Sequence, residues 1–284
     1  MSNPPAAQDG RRPISFVAAA GWAIGATLFL DVAVAFTEFA RPGALQDLVS
    51  LTGCHVLTYS LVAFVMLRMY EPDTGVLRVF AIRRAPVLAF PLAAIVGAGI
   101  YPALTVVDGI AAKRFPPTPE ETELIGNLMT ATTTGKRVAL VMALVFLMPA
   151  AEELFFRGLL FGGLRRSREG MAILGTAIYF AAARGGIRAF GSMIVLGLVL
   201  AWLRSRAGST LVSLTAHVAF FAVPVIPMVM GRDPMADEIY PRSWVIGGLV
   251  IATAAGLLAE LMSRSNKTMI ACRIEDAGSP VVDA

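Results

Sequence analysis

Eight stretches of this chain stay apolar long enough to cross a hydrocarbon core, and that restricts it to a bundle of membrane helices. They run approximately over 14–37, 48–67, 85–107, 137–163, 171–187, 190–203, 210–230 and 243–262. A spanning helix needs about 20 such residues for a core of roughly 30 Å. In lipid, every backbone polar group must be satisfied within the protein, and a helix does so within its own segment. The composition agrees: 56% of the residues are hydrophobic and 15% charged, against about 25% charged in a soluble domain. The expected fold is all-α, a polytopic transmembrane helix bundle of about eight spans. The fifth and sixth stretches are short and joined through Arg184-Gly185-Gly186-Ile187-Arg188, so a tilted or re-entrant arrangement is expected there.

A net charge of +4 does not point to nucleic acid, because the arginines are spread over short loops between apolar runs. Their distribution instead sets orientation. With the amino terminus inside, the inner loops collect Arg11, Arg12, Arg68, Arg78, Arg83, Arg84, Arg165, Arg166, Arg168, Arg204 and Arg206. The outer side holds fewer basic residues, so both termini are expected in the cytoplasm. The first apolar run is too long for the core of a signal peptide and reads as a retained helix. An integral protein of a bacterial inner membrane is expected. Cys54 falls in a span and Cys272 in the tail, which gives neither a disulfide framework nor a paired-thiol metal motif. The last four residues contain no cysteine, so a prenylation signal on the chain itself is not expected.

The chain divides into a disordered cytoplasmic amino terminus (1–13), helices and an outer loop (14–134), a core (135–230), a last helix (231–266) and a cytoplasmic tail (267–284) that is expected to be disordered. In the loop 108–136, Pro116, Pro117 and Pro119 precede Glu120, Glu121 and Glu123, then Leu124, Ile125, Leu128 and Met129 at helical spacing. This pattern predicts a short amphipathic helix on the outer surface after Pro119, an interfacial anchor first and a cover over a substrate entrance as the alternative. No internal repeat and no inverted pair of broken helices supports a transporter.

Within the fourth apolar run stand Glu152, Glu153 and Arg157. An ionisable group at mid-span costs on the order of 2.5–3.5 kcal/mol on insertion scales and marks a functional site by default. Glu153 and Arg157 are four apart on one helical face, in the order that favours an ion pair. Glu152 points about 100° away, which leaves a carboxylate free to face a cavity and act as a general base toward water. A plain interhelical clamp is the competing reading, although a clamp does not require two adjacent acids. His217, in the seventh span, is the second candidate, whereas His55 reads as an interhelical hydrogen bond. The chain contains no His-Glu-x-x-His, no Gly-x-Ser-x-Gly and no phosphate-binding glycine loop.

The segment Met148-Pro149-Ala150-Ala151-Glu152-Glu153-Leu154-Phe155-Phe156-Arg157-Gly158 resembles the Glu-Glu-x-x-x-Arg motif of the CPBP (Abi) family. These are CAAX prenyl endopeptidases and bacteriocin-processing or immunity proteins, a group of intramembrane glutamic proteases. The resemblance covers roughly 135–225 and leaves the first three spans outside it. It implies that Glu152 is the base, Glu153 its partner, Arg157 their support and His217 the second histidine. Two positions depart from the pattern. Arg184 stands where the family has a histidine four residues after Phe180, and Phe221 stands where it has an asparagine four residues after His217. An arginine cannot shuttle a proton, and Phe221 removes an oxyanion donor worth roughly 2.7–4 kcal/mol in serine proteases.

The resemblance implies an intramembrane endopeptidase that cleaves a membrane-associated or lipidated protein by glutamate-activated water. The alternative is an inactive family member that binds a membrane peptide in a regulatory or immunity role. No cofactor is expected. Metal binding is also not expected, since the two carboxylates and one histidine share their surroundings with Arg157.

Overall fold

A computed structural model describes residues 14–184, 186–232 and 240–278, with side chains through residue 265. The expected disordered stretch 1–13 lies outside the described residues. No strand occurs among them. The longer helices are α1 (Phe16–Ala40), α2 (Leu48–Tyr70), α3 (Ala89–Arg114), α4 (Pro119–Met129), α5 (Thr134–Arg165), α6 (Glu169–Ala183), α7 (Phe190–Ala207), α8 (Thr210–Val229) and α9 (Arg242–Gly278). Seven of these are long and apolar enough to span a membrane. The remaining long apolar stretch, α6, has 15 residues and reaches only about 22 Å at 1.5 Å per residue.

Two differences from the sequence reading have local causes. The fifth stretch ends at Ala183, short of residue 187, because the chain turns at Arg184, the residue that caps the helix. At the other end, α9 runs past residue 267 to Gly278, where an unstructured tail was expected. Residues 267–277 contain no proline or glycine and are rich in helix formers. The amphipathic helix α4 begins where expected: Thr118 caps it in a capping box with Glu121, and Pro119 occupies its first turn.

Helix α5 is central and packs against α2, α6, α7 and α8. It is not a uniform α-helix, because π-helical stretches at Val141–Leu147 and Leu154–Leu160 flank an α-helical Met148–Glu153. Pro149 explains the first stretch. It has no N–H to give and its ring crowds the preceding turn, and the wider spiral lets Met148 N–H reach the Ala143 carbonyl instead. Such widened turns recur at functional sites. Here they bracket the two glutamates.

Close helix contacts fall where side chains are smallest. A Cβ added at Gly97 on α3 would lie 2.0 Å from the Ala216 carbonyl oxygen on α8, and one at Gly197 on α7 would lie 2.9 Å from Ala177 Cα on α6. In lipid, helices associate through packing of this kind more than through hydrophobic exclusion. These contacts seat α8 on α3 and α7 on α6.

Candidate active site

Four helices bring two carboxylates, two guanidiniums and two imidazoles together in the bundle interior. Glu152 and Glu153 come from the α-helical turn of α5, and Arg157 from the π stretch that follows. All three are buried, with Arg157 fully so. Glu153 Oε1 lies 2.9 Å from Arg157 Nη1, the expected i,i+4 pair. It also lies 3.0 Å from His217 Nδ1 on α8.

Arg157 is held from several sides. Its Nη2 donates to the Gly197 carbonyl at 3.2 Å, and its guanidinium stacks 4.4 Å from the Phe180 ring centroid. From α7, Arg204 Nε donates to the Arg157 carbonyl at 3.2 Å. The charge is thereby neutralised by Glu153 and packed against an aromatic face.

Glu152 does point away from the Glu153–Arg157 pair, yet it is not a free carboxylate. Arg184, just past the end of α6, donates from Nη2 to Glu152 Oε2 at 2.6 Å. His55 Nε2 on α2 approaches Oε1 to 3.3 Å, and His217 Nε2 stands 3.7 Å from Oε2. The expectation of an unpaired acid facing a cavity fails because α6 ends at a point from which the long Arg184 side chain can reach inward. Its guanidinium also lies 4.8 Å from the Phe221 ring centroid. The two substituted motif positions therefore touch each other above Glu152. Arg184 remains 28% exposed at its side chain, whereas Glu152 is 2% exposed.

His55 does make the interhelical contact read from the sequence, but its partner is Glu152 itself. Nothing local signals this, since the two residues are far apart in the chain and their approach depends on how α2 crosses α5. Arg204 was placed in an inner loop by the sequence and is instead 5% exposed. Gly197 also joins the site, through its carbonyl. Among the described residues no group of three or more histidine, cysteine or acidic side chains is arranged to hold a metal ion.

The arrangement surrounds a buried acceptor pair with donors. Oxygens of Glu152 face two imidazole nitrogens and a guanidinium, and the 3.7 Å separation from His217 Nε2 is longer than a direct hydrogen bond.

Residues 134–223 match the model of the family described as type II CAAX prenyl endopeptidase Rce1-like. No curated protein and no solved structure matches the chain. The matched stretch contains Glu152, Glu153, Arg157, Arg184, His217 and Phe221, while His55 lies outside it. By motif, helix order and family match, residues 134–223 are a CPBP-family domain of the CAAX protease type, set within an all-helical membrane protein.

Proposed function

We propose that this protein is an intramembrane endopeptidase of the CAAX protease type, hydrolysing a peptide bond of a membrane-associated or lipidated protein. The observation that carries this reading is His217, which faces both glutamates at once, 3.0 Å from Glu153 and 3.7 Å from Glu152. A clamp between α5 and α8 would be complete with the His217–Glu153 contact and would not need His217 to face Glu152 as well.

In this mechanism Glu152 takes a proton from a water held against it, and the water oxygen attacks the scissile carbonyl carbon. The carbonyl π pair moves onto oxygen, and Arg184 can donate to that oxyanion in place of the asparagine replaced by Phe221. Collapse of the tetrahedral intermediate breaks the C–N bond, and the leaving nitrogen takes the proton from Glu152. No covalent enzyme intermediate forms. Glu153 and Arg157 hold His217 in orientation, and His55 fixes the other oxygen of Glu152.

One observation favours a second reading. The 2.6 Å contact between Arg184 and Glu152 occupies the base with a cation that cannot give up its proton. An inactive member would bind its peptide and not cut it.

The test compares new protein amino termini in membranes from cells carrying wild type, Glu152→Gln, or Arg184→His together with Phe221→Asn. Termini present with wild type and absent with Glu152→Gln are expected. If wild type and Glu152→Gln give the same termini, the endopeptidase reading fails. Termini produced only by the double substitution would establish the second reading.

A further inference from the structure

At one end of the bundle, where α2, α5 and α7 terminate, a cavity of about 170 Å³ gathers the guanidiniums of Arg78, Arg83, Arg165, Arg166 and Arg204 around one carboxylate, Glu71. That volume is several times the ~30 Å³ share of a water molecule. Glu71 is engaged by Arg166, and Arg165 lies 3.7 Å from Glu169. Among the described residues, no carboxylate lies within ion-pair distance of Arg78, Arg83 or Arg204.

Arg204 is the most telling of these. It is 5% exposed, its Nε is used on the Arg157 carbonyl, and its Nη1 is buried without a hydrogen-bond partner. A buried cationic donor left unmatched is unfavourable unless something completes it. The clustered like charges add to that cost, so the chemistry asked for is a compact anion with several acceptor oxygens. Phosphate fits the arginine forks best.

We propose that this cavity binds the phosphate of an anionic phospholipid head group. The lipid source is favoured by position. The cavity sits where spans end, beside Val76 and Leu77, which are 55% and 64% exposed next to Arg78. Ile14, Met66 and Leu159 add apolar lining. Basic pockets between membrane helices at a head-group level recognise lipid phosphates in this way. Because Arg204 holds the backbone of Arg157, the bound phosphate would brace the turn that carries the catalytic-type ion pair. The site is independent of whether Glu152 cleaves anything.

The test uses the full chain in detergent, titrated with phosphatidylglycerol, phosphatidylcholine or inorganic phosphate and read by native mass spectrometry and thermal unfolding. Phosphatidylglycerol is expected to bind and to raise the unfolding temperature, and phosphatidylcholine is not. The pair Arg78→Gln with Arg83→Gln, both exposed, should weaken phosphatidylglycerol binding roughly 30-fold, or about 2 kcal/mol for two arginines. Replacing the same pair with lysine should restore most of it, and Arg168→Gln, at the same end but outside the cavity, should leave it unchanged. Equal binding of the two lipids, or undiminished phosphatidylglycerol binding in the double variant, would overturn the site. Inorganic phosphate that binds as tightly and displaces the lipid would overturn the lipid as its source.

Discussion

The same pair of side chains, arginine and glutamate, is used at mid-bundle and at the surface with opposite consequences. Inside, Glu153 and Arg157 are 1% and 0% exposed and 2.9 Å apart. Outside, Glu121 at the start of α4 meets Arg188 from the α6–α7 loop at 3.0 Å, with the two side chains 47% and 31% exposed. In the interior neither charge has water to fall back on, so each must be matched and the pair fixes the helices around it. At the surface the same contact is screened and replaceable. The difference shows why the interior charges are surrounded by further partners, His217, Gly197 and Phe180, while the outer pair has only the cap of its own helix.

The comparison breaks most directly at Arg157. Arg157→Met leaves the buried Glu153 without its cationic partner, and a loss of about 3–5 kcal/mol is expected, read as thermal unfolding in detergent. Combining it with Glu153→Gln should recover part of that loss, because the uncompensated charge is gone. If the double variant is as unstable as the two losses added, the pair is not the source of the cost.

A smaller effect is expected at Arg184, whose partner is buried but whose own side chain is partly solvated. Arg184→Gln should destabilise by about 1–3 kcal/mol, the penalty for leaving a buried acceptor short of a donor. His55 stays beside Glu152 and limits the damage. A loss as large as that of Arg157→Met would show that Arg184 belongs energetically to the interior set.

The smallest effect is expected at Glu121. The Thr118 backbone N–H, and after it Arg188, hold the Glu121 carboxyl below its usual range. The folded-state value is depressed, so the stabilisation is present above the ordinary glutamate value of about 4.3 and is lost as pH falls through the folded value. Hydrogen exchange in α4, corrected for intrinsic rates, should therefore quicken between pH 6 and pH 3 without a change in global unfolding temperature at neutral pH. Glu121→Gln should remove that pH dependence. A global shift instead would mean that the outer pair holds the bundle as the inner one does.

Much of the fold was legible because hydropathy and helix period are local properties. The long apolar runs named the spans, Pro119 with Thr118 and Glu121 named the start of α4, and the four-residue spacing named the Glu153–Arg157 pair. The boundaries that moved were set by finer balances: where Arg184 stops α6, and how far helix formers carry α9. Within the site, the motif spacing pointed to Glu152, Arg184 and His217 but not to the state of Glu152. An acid read as free is paired on both oxygens.

The sequence by itself determined that the chain forms membrane helices and that one of them carries charge at its centre. Both follow from the energy of moving individual residues between water and lipid, which each residue brings with it. Only the tertiary structure decided which charges meet. His55 reaches Glu152 because α2 crosses α5 at that level, and Arg204 reaches the Arg157 backbone because α7 packs against α5. Gly97 and Gly197 admit the close approaches that seat α8 on α3 and α6 on α7. Contacts between distant residues depend on helix crossing and on side chains a few ångströms long, and no short stretch of sequence contains that information.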